Sequence, residues 1–202
     1  MERTDNYLVQ SEQAKRTFLT YDQQKLIEKL KLKADETWLY TSLLGRPYRI
    51  HRKTACIQCQ IDGGWVDGNS YEEVMTLLDL VCDSREDRYL RFRWKNMRDF
   101  GHQFHQSLLE DQPDPYAQRF AADPEGFRSA CLALKGTSLE TGDVSYAIEL
   151  FDGLCIAIQL WLGDEEFPPR LRFLWDENAG MYLRYETMYF ARALLLRRLT
   201  EG

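Results

Sequence analysis

The sequence has no run of apolar residues approaching the roughly 20 that a bilayer-crossing helix needs, so no membrane association is expected. Its first residues, Met1-Glu-Arg-Thr-Asp-Asn-Tyr7, contain no apolar signal core, and a cytoplasmic location is expected. There is no internal repeat and no low-complexity segment. Cysteine is sparse and odd in number, five in all. Cys59, Cys82, Cys131 and Cys155 lie in apolar stretches, where free cysteine behaves as a small hydrophobe. A disulfide framework is thereby excluded and a reducing compartment expected. Excess positive charge is also missing: 26 Lys and Arg against 32 Asp and Glu leave a net charge of −6 and a pI of about 5.2. Bulk electrostatics then repel nucleic acid and anionic membrane, so neither is expected as a partner. Gly-rich phosphate loops, a Gly-x-Ser-x-Gly elbow, a dinucleotide-binding fingerprint and a His-Glu-x-x-His pair are all lacking, and no nucleophilic triad is suggested.

What is present is a chain of 202 residues, 44% hydrophobic and 13% aromatic. A domain of that size buries about 70% of its unfolded surface, enough for a sizeable core. The expectation is one domain over 1–202, with N-terminal helices at 10–33 packing on the sheet. No strand–helix–strand rhythm of the parallel kind recurs. The fold class expected is therefore α+β, a mainly antiparallel sheet with helices at both chain ends and between strands.

The helical stretch 10–33 is predicted to break near Thr20, which has capping-box spacing to Gln23. Thr37–Leu44 reads as a strand and Gly45-Arg46-Pro47 as a turn, with a return strand running from Tyr48 towards Ile61 and ended by Asp62-Gly63-Gly64. Ser70 caps a helix over 71–82, with Glu73 at its third position. Leu90, Phe92 and Trp94 alternate with Arg91, Arg93 and Lys95, which predicts a strand at 89–95 with one basic face. Short helices are predicted at 102–110 and 115–122. Another starts at Asp123-Pro124 and ends at Gly136. Strands follow at 144–150 and 154–162, the second apolar on both faces except for Gln159 and so placed centrally. The link 163–169 is too short for a parallel crossover, so Leu171, Phe173 and Trp175 belong to an antiparallel neighbour. A helix over 185–199 ends the chain, with Arg197 and Arg198 complementing its dipole.

Several constellations invite chemistry. Cys56-x-x-Cys59 has the spacing of metal knuckles, but residues three apart on a strand face opposite ways and no second pair completes a zinc site, so a structural role is preferred. His102 and His105 share a helix face at a spacing that suits metal ligation, with a surface pair the better reading. The Arg91, Arg93, Lys95 row beside Trp94 suits phosphate or single-stranded nucleic acid, against which stand the net negative charge and the usual charged defence of an edge strand.

The densest feature is Gly163-Asp-Glu-Glu-Phe-Pro-Pro169, an acidic loop joining two apolar segments. Asp164, Glu165, Glu166 and Asp176 could hold a hard cation or keep one carboxyl protonated for acid–base work. Trp161, Phe167 and Trp175 would line and partly shield such a site. The bland alternative is a solvated turn whose carboxylates pair with Arg170, Arg172 or Arg184. The expectation is a cytosolic domain that binds a small molecule or partner protein at Asp164, Glu165, Glu166, Phe167, Trp161, Trp175 and Asp176. The rival is a carboxylate-based or metal-dependent hydrolase. The sequence assigns no catalytic residue, no cofactor, no metal ligand and no oligomeric state.

Tyr116-Ala, Asp123-Pro-Glu-x-Phe127, Gly142-Asp143 with Tyr146, Gln159-x-Trp161, the Gly163–Pro169 segment, Leu174-Trp-Asp-Glu-Asn178 and Tyr185-Glu-Thr187 together resemble the bacterial and archaeal family known as domain of unknown function 3786. The resemblance runs from the hairpin with Gly45 and Tyr48 to the C-terminal helix. It implies a bacterial cytosolic domain and supplies no activity. Some relatives carry an added iron–sulfur-type cysteine cluster; the scattered cysteines of this chain do not reproduce it.

Overall fold

In a computed structural model of the chain, residues 3–68, 70–100 and 114–201 are described. The expected helix at 102–110, with His102 and His105, lies outside them. The described chain divides into two compact units, residues 1–89 with 180–194, and residues 90–179 with 195–202. Among the described residues each unit carries one five-stranded sheet and every strand pair is antiparallel; the sense is as the sequence predicted, but the strands form two sheets where one was expected.

The first unit opens with α1 (Arg3–Thr20) and α2 (Gln23–Leu30). The break falls where expected, but the cap is Asp22, whose carboxylate accepts the N–H groups of Gln24 and Lys25. A meander follows: β1 (Lys33–Ala34), β2 (Trp38–Leu43), β3 (Arg46–His51), β4 (Ile57–Ile61) and β5 (Gly64–Asp67). Two of its reversals are two-residue turns, Leu44-Gly45 and Asp62-Gly63, with both residues at positive φ. That geometry matches the right-handed twist of the flanking strands. The turn therefore starts a residue earlier than Gly45-Arg46-Pro47; Asp62-Gly63 ends β4 where expected and leads into a further strand, β5, that the sequence reading did not include.

The single return strand expected from Tyr48 to Ile61 is instead two strands. His51 Nδ1 lies 3.3 and 3.2 Å from the backbone N of Lys53 and Thr54, accepting both, and Ala55 sits at φ +55°, which reverses the chain. The sequence carries a signal of the break: the buried positions before it, Tyr48 and Ile50, are even-numbered, whereas the alternation resumes at the odd-numbered Ile57 and Cys59, a change of phase that no single regular strand accommodates. On one face of the sheet Leu39, Tyr48, Ile50, Ile57 and Cys59 are buried.

Helix α3 (Tyr71–Asp83) buries Val74, Leu77, Leu78, Leu80 and Val81. Ser70 and Glu73 close its capping box as predicted. Glu73 also accepts the Tyr48 hydroxyl at 2.6 Å, tying α3 to the sheet. Helices α1 and α2 pack against α3.

The second unit holds β6 (Trp94–Asn96), α4 (Pro115–Ala122), α5 (Pro124–Ala133), β7 (Thr137–Ser138), β8 (Val144–Phe151), β9 (Leu154–Trp161) and β10 (Arg170–Asp176). The sheet order is β6-β10-β9-β8-β7, so β9 is central, as its two apolar faces require. Helix α4 packs against β9 and β10, and α5 against β8. Asp114 and Asp123 cap them with proline at the first helical position. The expected strand at 89–95 shrinks to Trp94–Asn96, because Phe92 takes a left-handed φ of +57° that no ladder accommodates. The last helix, α6 (Tyr185–Thr200), starts in the first unit and ends in the second. No helix among the described residues is long and apolar enough to cross a membrane.

Candidate functional site

The acidic loop is a tight, exposed turn. Gly163 sits at φ +79° with backbone so close that an added Cβ would lie 2.6 Å from Phe167 O and 2.7 Å from Pro169 N. The N–H groups of Glu166 and Phe167 donate to Asp164 Oδ1 at 2.9 and 2.8 Å, and Asp164 N–H returns to Phe167 O at 2.9 Å. Asp164 therefore serves the turn itself. Glu165 and Glu166 are exposed, and Phe167 is 67% exposed, so the shielding expected of its ring is not there. Among the described residues, none of these three carboxylates forms an ion pair. Arg172 lies over the Trp161 ring at 5.7 Å, and Arg184 is engaged elsewhere.

Trp175 and Asp176 fall at the opposite end of β10 from the loop, so the expected constellation is divided in two. Seven residues of strand separate the ends by roughly 20 Å. Trp175 is fully buried and Trp161 half-buried. Asp176 is buried as well. Both its oxygens accept Arg91 N–H at 3.1 Å, Oδ2 accepts Phe92 N–H at 2.6 Å and Oδ1 accepts Asn178 N–H at 2.8 Å. Its carboxylate holds the backbone of residues 91, 92 and 178.

A second cluster, which the sequence did not single out, lies in the first unit. Gln10, Gln13, Ala14 and Thr17 recur at helical spacing along α1 and face Met75, Leu78, Asp79, Cys82 and Asp83 on α3. With Tyr21 and Arg184 they line a cleft of about 510 Å³. Asp79 is only 3% exposed. It accepts Arg184 Nε at 2.7 Å and Arg184 N–H at 3.0 Å. Arg184 Nη2 also lies 3.3 Å from Asp83 Oδ2, and the Tyr21 hydroxyl donates to Asp83 Oδ1 at 2.6 Å.

Burial pushes the Asp79 carboxyl above the usual carboxylate range, opposed by its hydrogen bonds to Thr187 and Arg184 and reinforced by Asp83. The hydrogen bond to Asp83, together with burial, pushes the Tyr21 phenol up to about 12. Cys82 is held as the thiol, burial pushing it up to about 12. Lys29 donates to Cys82 O at 2.8 Å, and burial lowers its ammonium. The signal that could have found this site is Asp79 itself, a carboxylate inside the apolar run Leu77-Leu78-Asp79-Leu80-Val81, with Asp83 one turn on. Its partner Arg184 is 105 positions away, and only folding joins them. Among the described residues no three His, Cys, Asp or Glu side chains come together as a metal-binding group.

No curated protein and no solved structure matches this chain. Residues 22–198 match the family described as "Domain of unknown function (DUF3786)", and the chain belongs to that family.

Proposed function

We propose that this member of the 3786 family is a cytoplasmic small-ligand-binding protein whose site is the cleft between α1 and α3. One observation carries the reading: a buried carboxylate, Asp79, is held by Arg184 at the wall of a cleft of about 510 Å³ that also presents Asp83, Tyr21 and two glutamines. Binding sites are concavities of this size with a few convergent polar groups on an apolar wall. Two carboxylates against one guanidinium favour a polar ligand that is neutral or cationic. The loop at 163–169 is an exposed turn whose Asp164 carboxylate is taken up by its own backbone. Five free thiols fit the reducing cytoplasm of a bacterium.

The test is native mass spectrometry of the purified protein for a retained small molecule, followed by thermal melts with polyols, amides, amines and guanidines. A ligand of this class raises the melting temperature of the parent and not of Asp83→Asn. Absence of any retained mass together with absence of any shift overturns the reading.

A carboxylate-based hydrolase is the second reading, favoured by two carboxylates, Asp79 and Asp83, one helical turn apart on the same guanidinium of Arg184. Such a pair lets one acid keep a proton while the other accepts one. Turnover of a bound ligand in the same samples separates the two.

A further inference from the structure

Residues 90–98 carry four cations, Arg91, Arg93, Lys95 and Arg98, and no carboxylate, within a chain of net charge −6. Phe92 and Trp94 alternate with the first three. The structure turns this row outward: Phe92 is 83% exposed, and Trp94 is exposed on β6, which among the described residues is an edge strand paired with β10 alone. Phe92 also sits at φ +57°, a backbone region bulky residues rarely adopt. A ring in solvent contributes no burial to offset that strain, so folding gives no reason for phenylalanine here. The conformation persists because the buried Asp176 carboxylate holds the N–H groups of Arg91 and Phe92. Strain of this kind, imposed by surrounding structure, is characteristic of binding surfaces.

We infer that residues 91–95 are a docking surface for single-stranded nucleic acid, with bases stacked on Phe92 and Trp94 and phosphates against Arg91, Arg93 and Lys95. Aromatic faces alternating with cations match the alternation of base and phosphate along one strand. A duplex keeps its bases stacked on one another and leaves the rings without a partner. An acidic peptide satisfies the cations but makes no use of two exposed ring faces. Glu177 lies 3.7 Å from Arg91 Nη1 and 4.0 Å from Arg93 Nη1, a competing anion that a phosphate must displace. The overall negative charge adds no long-range attraction, so affinity rests on this row and its salt dependence is shallow. Three phosphate contacts predict a slope of log K against log salt of about −2.

The experiment is fluorescence anisotropy of the full chain with a labelled 12-nucleotide oligothymidine, the matching duplex and a labelled glutamate-rich peptide. Saturable binding of the single strand is expected. Phe92→Ala should weaken it about tenfold or more, the scale of one lost stacking partner. The double change Arg93→Ala, Lys95→Ala should flatten the salt slope by roughly one to two. Glu177→Gln should tighten binding by releasing both arginines. Melting curves confirm that each variant is folded; Phe92, being exposed, is the safest to remove. Absence of single-strand binding at low salt, equal binding of the duplex, insensitivity to Phe92→Ala, or preference for the acidic peptide would each overturn the inference.

Discussion

The Asp176 carboxylate accepts the backbone N–H of Phe92 at 2.6 Å, across 84 positions of sequence. One buried side chain thereby fixes the path of an exposed one. Asp176→Asn keeps the shape but leaves a single acceptor oxygen for N–H groups that now reach two. Loss of a hydrogen bond to a charged group costs about 1.5–3 kcal/mol, and urea unfolding of the variant should show a drop of that order. Phe92→Gly works the other way. Glycine adopts positive φ without strain, so that variant should be at least as stable as the parent by the same measurement.

Asp79 predicts a pH dependence with a definite sign. Its carboxyl is raised by burial, so the folded state binds that proton more tightly than the unfolded one. Its contribution is fully present below the unfolded carboxylate value, about 3.9, and is lost as pH rises through the raised value. Asp79→Asn removes the titration. The melting temperature of the variant minus that of the parent should therefore increase with pH across this window. A flat or falling difference would contradict the burial of Asp79.

Arg184→Leu tests the same cluster from its other partner. It leaves the Asp79 carboxylate buried without its cation, and breaking a buried pair from one side costs about 3–5 kcal/mol. Because Arg184 is itself largely exposed, the loss should fall at the low end of that range in a denaturant titration. The double variant Arg184→Leu, Asp79→Leu should recover part of it.

Gly163→Ala probes the acidic loop. A methyl group there meets three backbone atoms under 3.0 Å at a φ of +79°. A drop in stability of about 1–3 kcal/mol is expected from the backbone strain, with no comparable effect at Gly180, where a Cβ meets open space.

The thiols should separate in native alkylation followed by peptide mass spectrometry. Cys56 is half-exposed just before β4, while Cys59, Cys82 and Cys131 are buried. Burial also pushes the Cys82 and Cys131 thiols up to about 12, which leaves almost no thiolate at pH 8. Cys56 should react first, and Cys82 and Cys131 only on unfolding.

Local rules carry far along this chain. Ser70 with Glu73, Asp123 with Pro124, and the two-faced apolar run of β9 specify a capped helix, a helix start and a central strand from neighbouring residues alone, and each is found where those residues place it. The antiparallel arrangement follows from connections too short for crossovers. The limits appear wherever a distant group overrides local pattern. The alternation through Phe92 reads as strand until Asp176 pulls its N–H groups out of the ladder. Trp161 and Trp175 look like neighbours of one acidic loop until the length of β10 sets Trp175 at the far end. Asp79, Asp83 and Arg184 carry no shared local signature, because the pairing of α3 with a residue 105 positions on is decided by tertiary packing. The sequence by itself determined the main helices, the central strands of the second sheet, the antiparallel sense and the family. Which carboxylates are buried, and what each of them holds, was decided only by the tertiary structure, since burial and long-range hydrogen bonds are properties of the assembled fold.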